Sequence, residues 1–203
     1  EGTNLVRGDL RTESEVLEKV DQVVSKTKGL VLANFSNADI DRLKTFHEAA
    51  KKNHRVLAVS LRQAFLLRAL SRDKNLEVPE VLKDPNIVVY QKSKKTYYKW
   101  ENEIINQTSV KTSRDVKDMQ GKVILASSSY DMNEVLDIRP GPGSAFINST
   151  SEPFNEEMDM DHERFVNWLN HLGLPLYQIH SSGHMMPNDL REIVERVSPE
   201  RLV

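Results

Sequence analysis

Apolar residues along the chain recur with two different periods, and the two kinds of stretch alternate. Thr12 is a good helix N-cap, with Glu15 three residues on as the second half of a capping box. Val16, Val20, Val23 and Val24 then fall on one helical face, and Gly29 marks the end of that helix. Residues 30–35 form a short apolar run that predicts a strand. Ser36 and Asn37 are expected to cap a second helix with Ile40, Leu43, His47 and Ala50 as its stripe. A second strand is predicted over 55–61, before a helix carrying Phe65, Leu66 and Ala69 inward. A polar, proline-bearing connection over 73–85 leads to a third strand at 87–90. Helix is then predicted over 94–107 and 113–119, and a fourth strand over 123–126. Phe146 and Ile147 mark a fifth strand. Phe165, Trp168, Leu169 and Leu172 form the stripe of a helix between 159 and 173. A sixth strand at 176–179 and a helix over 187–197 complete the pattern.

Short apolar strands with helices between them predict an α/β fold. Its sheet is expected to be parallel and Rossmann-like, covered by helices on both faces. Ligands of such sheets bind at the carboxyl ends of the strands. The Pro140-Gly141-Pro142-Gly143 run reads as a rigid loop, and the sequence shows no internal repeat.

Composition narrows the chemistry. With 38% hydrophobic and 29% charged residues among 203, the chain has a globular composition. A formal net charge of −2 means that any nucleic-acid contact must use a local patch or groove. The absence of cysteine excludes disulfides, thiolate metal sites and cysteine nucleophiles. No apolar run reaches membrane-spanning length, so no membrane partner is expected. The start at Glu1 and the apolar ending at Leu202-Val203 suggest a piece of a longer protein.

Three segments carry candidate chemistry. His180-Ser181-Ser182-Gly183-His184 follows an apolar strand and precedes a helix opened by Pro187. A strand, a small-residue turn and a helix N-terminus make an anion site, in which the serines and histidines add donors. The intervening Ser-Ser-Gly argues against a zinc-binding helical histidine pair, and a capped loop with two ordinary histidines is the alternative. Ser127-Ser128-Ser129 ends the fourth strand, where hydroxyls meet ligands or serve only as turn residues. Asn34 and Ser36 occupy the analogous place after the first strand, and simple capping would also account for them. The run from Lys92 to Trp100 interleaves lysines with aromatics. That pattern suits single-stranded RNA, but we read it as an amphipathic helix with buried rings and solvated lysines. The acidic stretch over 152–163 is expected to lie before a helix. His47, His54, His162 and His171 are read as structural or exposed.

The His180-x-Ser182-Gly183-His184 segment, taken with the ends of the chain, resembles the β-CASP branch of the metallo-β-lactamase superfamily, which includes RNase J-like nucleases. There a His-x-Ser-Gly-His segment ends the β-CASP insertion. Glu1-Gly2-Thr3-Asn4 resembles the motif that opens it. Residues 31–41 and 123–129 resemble its first strand and helix and the strand whose Ala-Ser end meets RNA.

The resemblance implies a division into residues 1–11 (end of a first lactamase segment), 12–174 (β-CASP domain) and 175–203 (start of a second lactamase segment). It implies a zinc-dependent, cytoplasmic ribonuclease, either endonuclease or 5′-exonuclease, possessing two zinc ions in the intact enzyme and a homodimeric form. The HxHxDH zinc motif and the other metal ligands would lie outside this chain, so no metal is expected within it. His184 would be a general acid or orienting donor, and Glu1 would orient a metal-binding histidine. His180, Ser181, Ser182, Gly183, Ser127, Ser128, Ser129, Asn34 and Ser36 would hold RNA phosphates. Rival readings are a metallo-hydrolase acting on another phosphodiester, a catalytically dead subunit, and a non-catalytic RNA- or nucleotide-binding domain. No GxGxxG or Walker loop follows any strand to support a dinucleotide or NTP site.

Overall fold

The computed structural model describes residues 12–153, 155–181 and 187–201. The first helix, α1 (Glu13–Lys26), is closed by the predicted box: the Thr12 hydroxyl accepts from Glu15 N, and the Glu15 carboxylate accepts from Thr12 N. Then come β1 (Val31–Asn34), α2 (Ile40–Lys52), β2 (Val56–Ser60), α3 (Leu61–Leu70) and β3 (Ile87–Tyr90). A short α4 (Lys99–Ile105), a two-residue β4 (Val110–Lys111) and α5 (Ser113–Asp118) lead to β5 (Val123–Ala126). The remainder is α6 (Met132–Ile138), β6 (Ala145–Asn148), α7 (Glu156–His171), β7 (Leu176–Gln178) and α8 (Pro187–Val197).

All seven strands of the sheet run parallel, in the order β4-β3-β2-β5-β1-β6-β7. Strand residues alternate between two apolar layers. Val31, Ala33, Leu57, Val59 and Ile124 pack with α1, α2, α3 and α4. Leu32, Ala58, Leu125 and Phe146 pack with α5, α6 and α7. The predicted parallel α/β sheet with both faces covered is thus the observed architecture, and β7 extends it past residue 174. Among the described residues no helix is long and apolar enough to cross a membrane.

Several local expectations are corrected. Asp39, not Ser36 or Asn37, caps α2, accepting from Arg42 N at 2.9 Å. Helix α3 buries Leu61, Gln63, Ala64 and Leu67, whereas Phe65 faces outward and Ala69 is exposed. The stripe is shifted because Ser60 with Gln63 fixes where the helix starts. The run over 91–98 is not helical, and its rings are not buried. The acidic residues from Glu156 onward lie inside α7, where Asn155 caps the helix. Two elements carry too weak a pattern to be predicted, the edge strand β4 and the seven-residue α6.

At the amino edge of the sheet the chain passes very close to itself. Gly29 N donates to Gly143 O at 3.0 Å, and Leu30 N donates to Ser144 Oγ at 2.9 Å. A Cβ on Gly29 would stand 2.4 Å from Ser144 Oγ and 2.8 Å from Ser144 N, so the position admits only glycine without a backbone shift. Arg55, itself buried, donates to the Gly29, Val123 and Thr27 carbonyls and so satisfies groups the strands leave open there.

Gly29→Ala should therefore destabilise the fold by about 1–3 kcal/mol, the usual penalty of overpacking. Phe46→Ala, which empties a fully buried site stacked on Phe35, should remove about 3–5 kcal/mol. Urea unfolding followed by circular dichroism checks both. A Gly29→Ala midpoint equal to that of the unmodified protein would contradict the close approach.

Candidate functional site

Helix α2 follows β1 on one face of the sheet, while α6 and α7 follow the neighbouring β5 and β6 on the other. Connections leaving adjacent strands in opposite directions open crevices at the carboxyl edge, where ligands of such sheets sit. Two cavities occupy these crevices. One, of about 420 Å³, lies beyond β1, β5 and β6 and is lined by Asn34, Ser128, Ser129, Asn148, Thr150 and residues of α7. The other, of about 380 Å³, lies beyond β2, β3 and β5. Ser128 lines both.

Polar side chains at the strand ends are bonded to one another. Asn34 Nδ2 donates to Asn148 Oδ1 at 2.7 Å, Asn148 Nδ2 to Gln178 Oε1 at 2.8 Å, and Gln178 Nε2 to Thr150 O at 2.7 Å. This amide ladder joins β1, β6 and β7 through the side chains of their last paired residues. One donor of Asn34 is therefore committed to the ladder, and Asn34 reaches the cavity as part of it.

The most heavily bonded group is one the sequence reading does not single out. Arg42, on α2, is 2% exposed. Its Nε and Nη2 form a bidentate pair with Glu13 of α1 at 2.8 and 3.1 Å. Its Nη1 approaches Ser149 O (3.0 Å), Ser149 Oγ (2.5 Å) and His180 Nδ1 (3.2 Å). Ser149 Oγ in turn donates to Ile179 O, and Thr45 Oγ1 to Glu13 Oε1. Burial works against the Glu13 carboxylate, but hydrogen bonds from Arg42 and Thr45 more than offset it and hold the group below its ordinary range.

A guanidinium offers only donors. Nη1 has two protons to share among Ser149 O, Ser149 Oγ and His180 Nδ1, so an accepting Nδ1, with the imidazole proton on Nε2, is the tautomer that suits this contact. Burial, and then the adjacent Arg42 charge, push the His180 pKa down, in agreement with a neutral ring. The network thus favours a neutral His180 with Nδ1 towards Arg42, beside the end of β7.

The other predicted residues fall as follows. Ser127 is buried at the end of β5, and its backbone N donates to Ala33 O. Ser128 N donates to Asp131 Oδ2 and Ser128 Oγ accepts from Tyr130 N, so Ser128 forms part of a turn as well as a cavity wall. Ser129 lines the first cavity. Ser36 is exposed, and its hydroxyl accepts from Ala38 N at 3.3 Å. His180 and Ser181 are described, whereas Glu1, Ser182, Gly183 and His184 lie outside the described residues. His47, read as structural or exposed, is buried with Nε2 3.0 Å from Asp84 Oδ2. Among the described residues no group of three or more histidines, aspartates and glutamates is placed to hold a metal.

The sequence does carry a signal for Arg42. Arg42, Phe46 and Ala49 recur at the spacing of one helical face, and a charged residue on that stripe needs a buried partner.

Because the folded protein holds His180 below its unfolded value of about 6.5, the unfolded chain binds more protons as pH falls. The contribution of neutral His180 is complete above about pH 6.5 and is lost as pH drops through the folded value. Long-range ¹H–¹⁵N NMR should show an Nε2–H tautomer titrating below pH 6.5, and Arg42→Met should raise that pKa towards the free value. The same variant should lose on the order of 3 kcal/mol of stability, the low end for breaking a buried pair because water reaches Glu13. A His180 that carries its proton on Nδ1 would refute the network.

Comparison of the chain with protein-family models and with curated proteins finds no match.

Proposed function

We propose that this chain is the RNA-binding portion of a cytoplasmic metallo-β-lactamase-type ribonuclease of the β-CASP kind. One observation carries the reading: the serine motif, Asn34 and the first residues of the His-Ser-Ser-Gly-His motif meet on one carboxyl edge of a parallel sheet. They arrive from strands that lie far apart in sequence: Asn34, Ser128 and Ser129 border the first cavity, Ser127 and Ser128 the second, and His180 is tied to the same edge through Arg42. The donors there are of the type that binds phosphate: hydroxyls, an amide and a neutral imidazole N–H.

In this reading the edge holds successive phosphates of a single strand. His180, Ser181 and Ser127 to Ser129 bind and orient it, and Ser182 and Gly183 continue the same segment. His184 donates a proton to, or orients, the leaving oxygen, and Glu1 orients a histidine of the adjoining lactamase domain. Two zinc ions belong to that domain, outside this chain, and the roles of the chain's own residues stand without them. An adjoining domain also accounts for α8. Its apolar positions Ile193 and Val197 are exposed, as a helix that packs on further polypeptide would leave them.

Anisotropy of a 3′-labelled single-stranded RNA is the first test. The chain should bind it. Ser129→Ala and His180→Phe should each weaken binding by roughly five- to tenfold, about 1–1.5 kcal/mol for one lost hydrogen bond. Binding no tighter than to an unrelated acidic protein would sink the reading. Catalysis is tested in the longer polypeptide that carries the metal ligands. There His184→Ala should lower turnover by about two to four orders of magnitude while changing affinity little. An RNA-binding polypeptide that never cleaves would instead support a non-catalytic binding subunit.

A further inference from the structure

The second cavity at the carboxyl edge, beyond β2, β3 and β5, brings together the start of the serine run and part of the Lys92-to-Trp100 segment, which the sequence pattern assigns to a buried helical face. Its floor and walls hold donors that open to the cavity and have no protein acceptor among the described residues. Ser127 is 8% exposed, and its hydroxyl has no hydrogen-bond partner among the described residues. Gln63 is 2% exposed. Its Oε1 accepts from Ser60 N at 2.9 Å, which fixes the orientation of the amide. That leaves Gln63 Nε2, also on the cavity wall, without an acceptor among the described residues. Helix α3 begins at this wall, with Ser60 as its cap and no acidic residue in its first turn. Arg62 lies in that first turn and has no ion pair among the described residues. The two lysines of the cavity are already neutralised, Lys92 by Asp131 and Lys94 by the buried Glu101, each at 2.5 Å.

Opposite this donor cluster the wall is aromatic. The run over 91–98 is an irregular segment, and Tyr98 stands 69% exposed at its end. The Tyr98 ring is within 9° of parallel to Trp100, with centroids 6.5 Å apart. Lys94 Nζ lies 5.2 Å from the Tyr97 centroid and 5.1 Å from that of Tyr98. Trp100 is held from behind by Phe65, at 5.3 Å. A ring this exposed loses no burial when its face is covered, and it gains by stacking on another flat π-system.

We propose that this cavity is a nucleotide subsite for single-stranded RNA, with a base stacked on Tyr98 and Trp100 and its phosphate held by Ser127, Gln63 and Arg62 at the start of α3. The inference rests on the RNA-binding reading above and extends it from Ser127 to Gln63, Arg62, Tyr98 and Trp100, which that reading does not use. Unpartnered donors call for an acceptor-rich ligand, the helix start and a free guanidinium call for an anion, and the exposed ring pair calls for a flat one. A nucleotide unit meets all three. The volume of about 380 Å³ falls in the range of small-molecule sites and suits one such unit. Ser128 separates this cavity from its neighbour, so consecutive nucleotides of one strand can occupy both.

Oligoadenylate binding by the whole chain, read by anisotropy over a series of salt concentrations, is the test. Tyr98→Ala should weaken binding about tenfold, and Tyr98→Phe should restore it, because stacking needs the ring and not the hydroxyl. Arg62→Ala should weaken binding and reduce the salt slope by about 0.7, one phosphate contact to a single strand. Neither residue is buried, and unfolding curves should match the unmodified protein. If the unmodified chain fails to bind RNA, the RNA-binding reading itself fails. If it binds, but Tyr98→Ala and Arg62→Ala leave affinity and salt slope unchanged, only the subsite is overturned. AMP competing as tightly as the oligonucleotide would overturn the assignment to a strand, since it would show a site complete for one mononucleotide.

Discussion

Burial of the Arg42 guanidinium is the constraint on which the carboxyl edge depends. A cation with 2% exposure is tolerable only if its donors are satisfied and its charge is met. Here those requirements tie together elements that backbone pairing leaves separate. Glu13 brings in the start of α1, Ser149 the segment after β6, and His180 the segment after β7. The amide ladder Asn34–Asn148–Gln178 runs across the same edge and locks the ends of β1, β6 and β7 laterally. The edge is therefore preorganised before any ligand arrives. The same bonds that complete the fold hold His180 against a buried cation and so favour its neutral form.

The amino edge contrasts with it. There the carbonyls left open are closed internally by Arg55 and by the passage of Gly29 against Ser144. Both edges bury an arginine, but one uses it to satisfy backbone and the other to hold side chains in place for something outside the fold. Ser127 and Gln63 keep free donors at the carboxyl edge, which is the asymmetry expected of a parallel sheet with its site at the strand ends.

The parallel sheet was legible because short continuous apolar runs flanked by helical stripes admit little else. The α1 capping box and the bounds of α8 are likewise written locally. What escaped was non-local or weakly patterned. Arg42 lies 29 residues from Glu13, 107 from Ser149 and 138 from His180, so no window along the chain contains the network. The segment from Lys92 to Trp100 was misread for a physical reason. Its aromatic spacing fits a buried helical face, but the helix cap falls at Tyr98, leaving the preceding residues irregular and the Tyr98 ring outside. Helix α6 was missed because Asn, Glu and Asp interrupt its short apolar pattern. For the site, the sequence supplied the serines and His180 but not the groups that orient them.

A net charge of −2 looks unfavourable for a partner that is a polyanion. The edge resolves the difficulty through the kind of group it presents. Its cavity lysines are neutralised by Asp131 and Glu101, burial and Arg42 favour a neutral histidine, and apart from Arg62 the donors offered to a ligand are mainly hydroxyls and amides. Such a surface attracts phosphate by directed hydrogen bonds and bases by stacking, with little counterion release. Binding of that kind depends on geometry far more than on field. It would discriminate a flexible single strand, whose bases and phosphates can reach separate cavities, from a duplex whose bases are already stacked. The local neutrality of the edge is then a source of selectivity, and a basic patch in the same place would give it up for unspecific attraction.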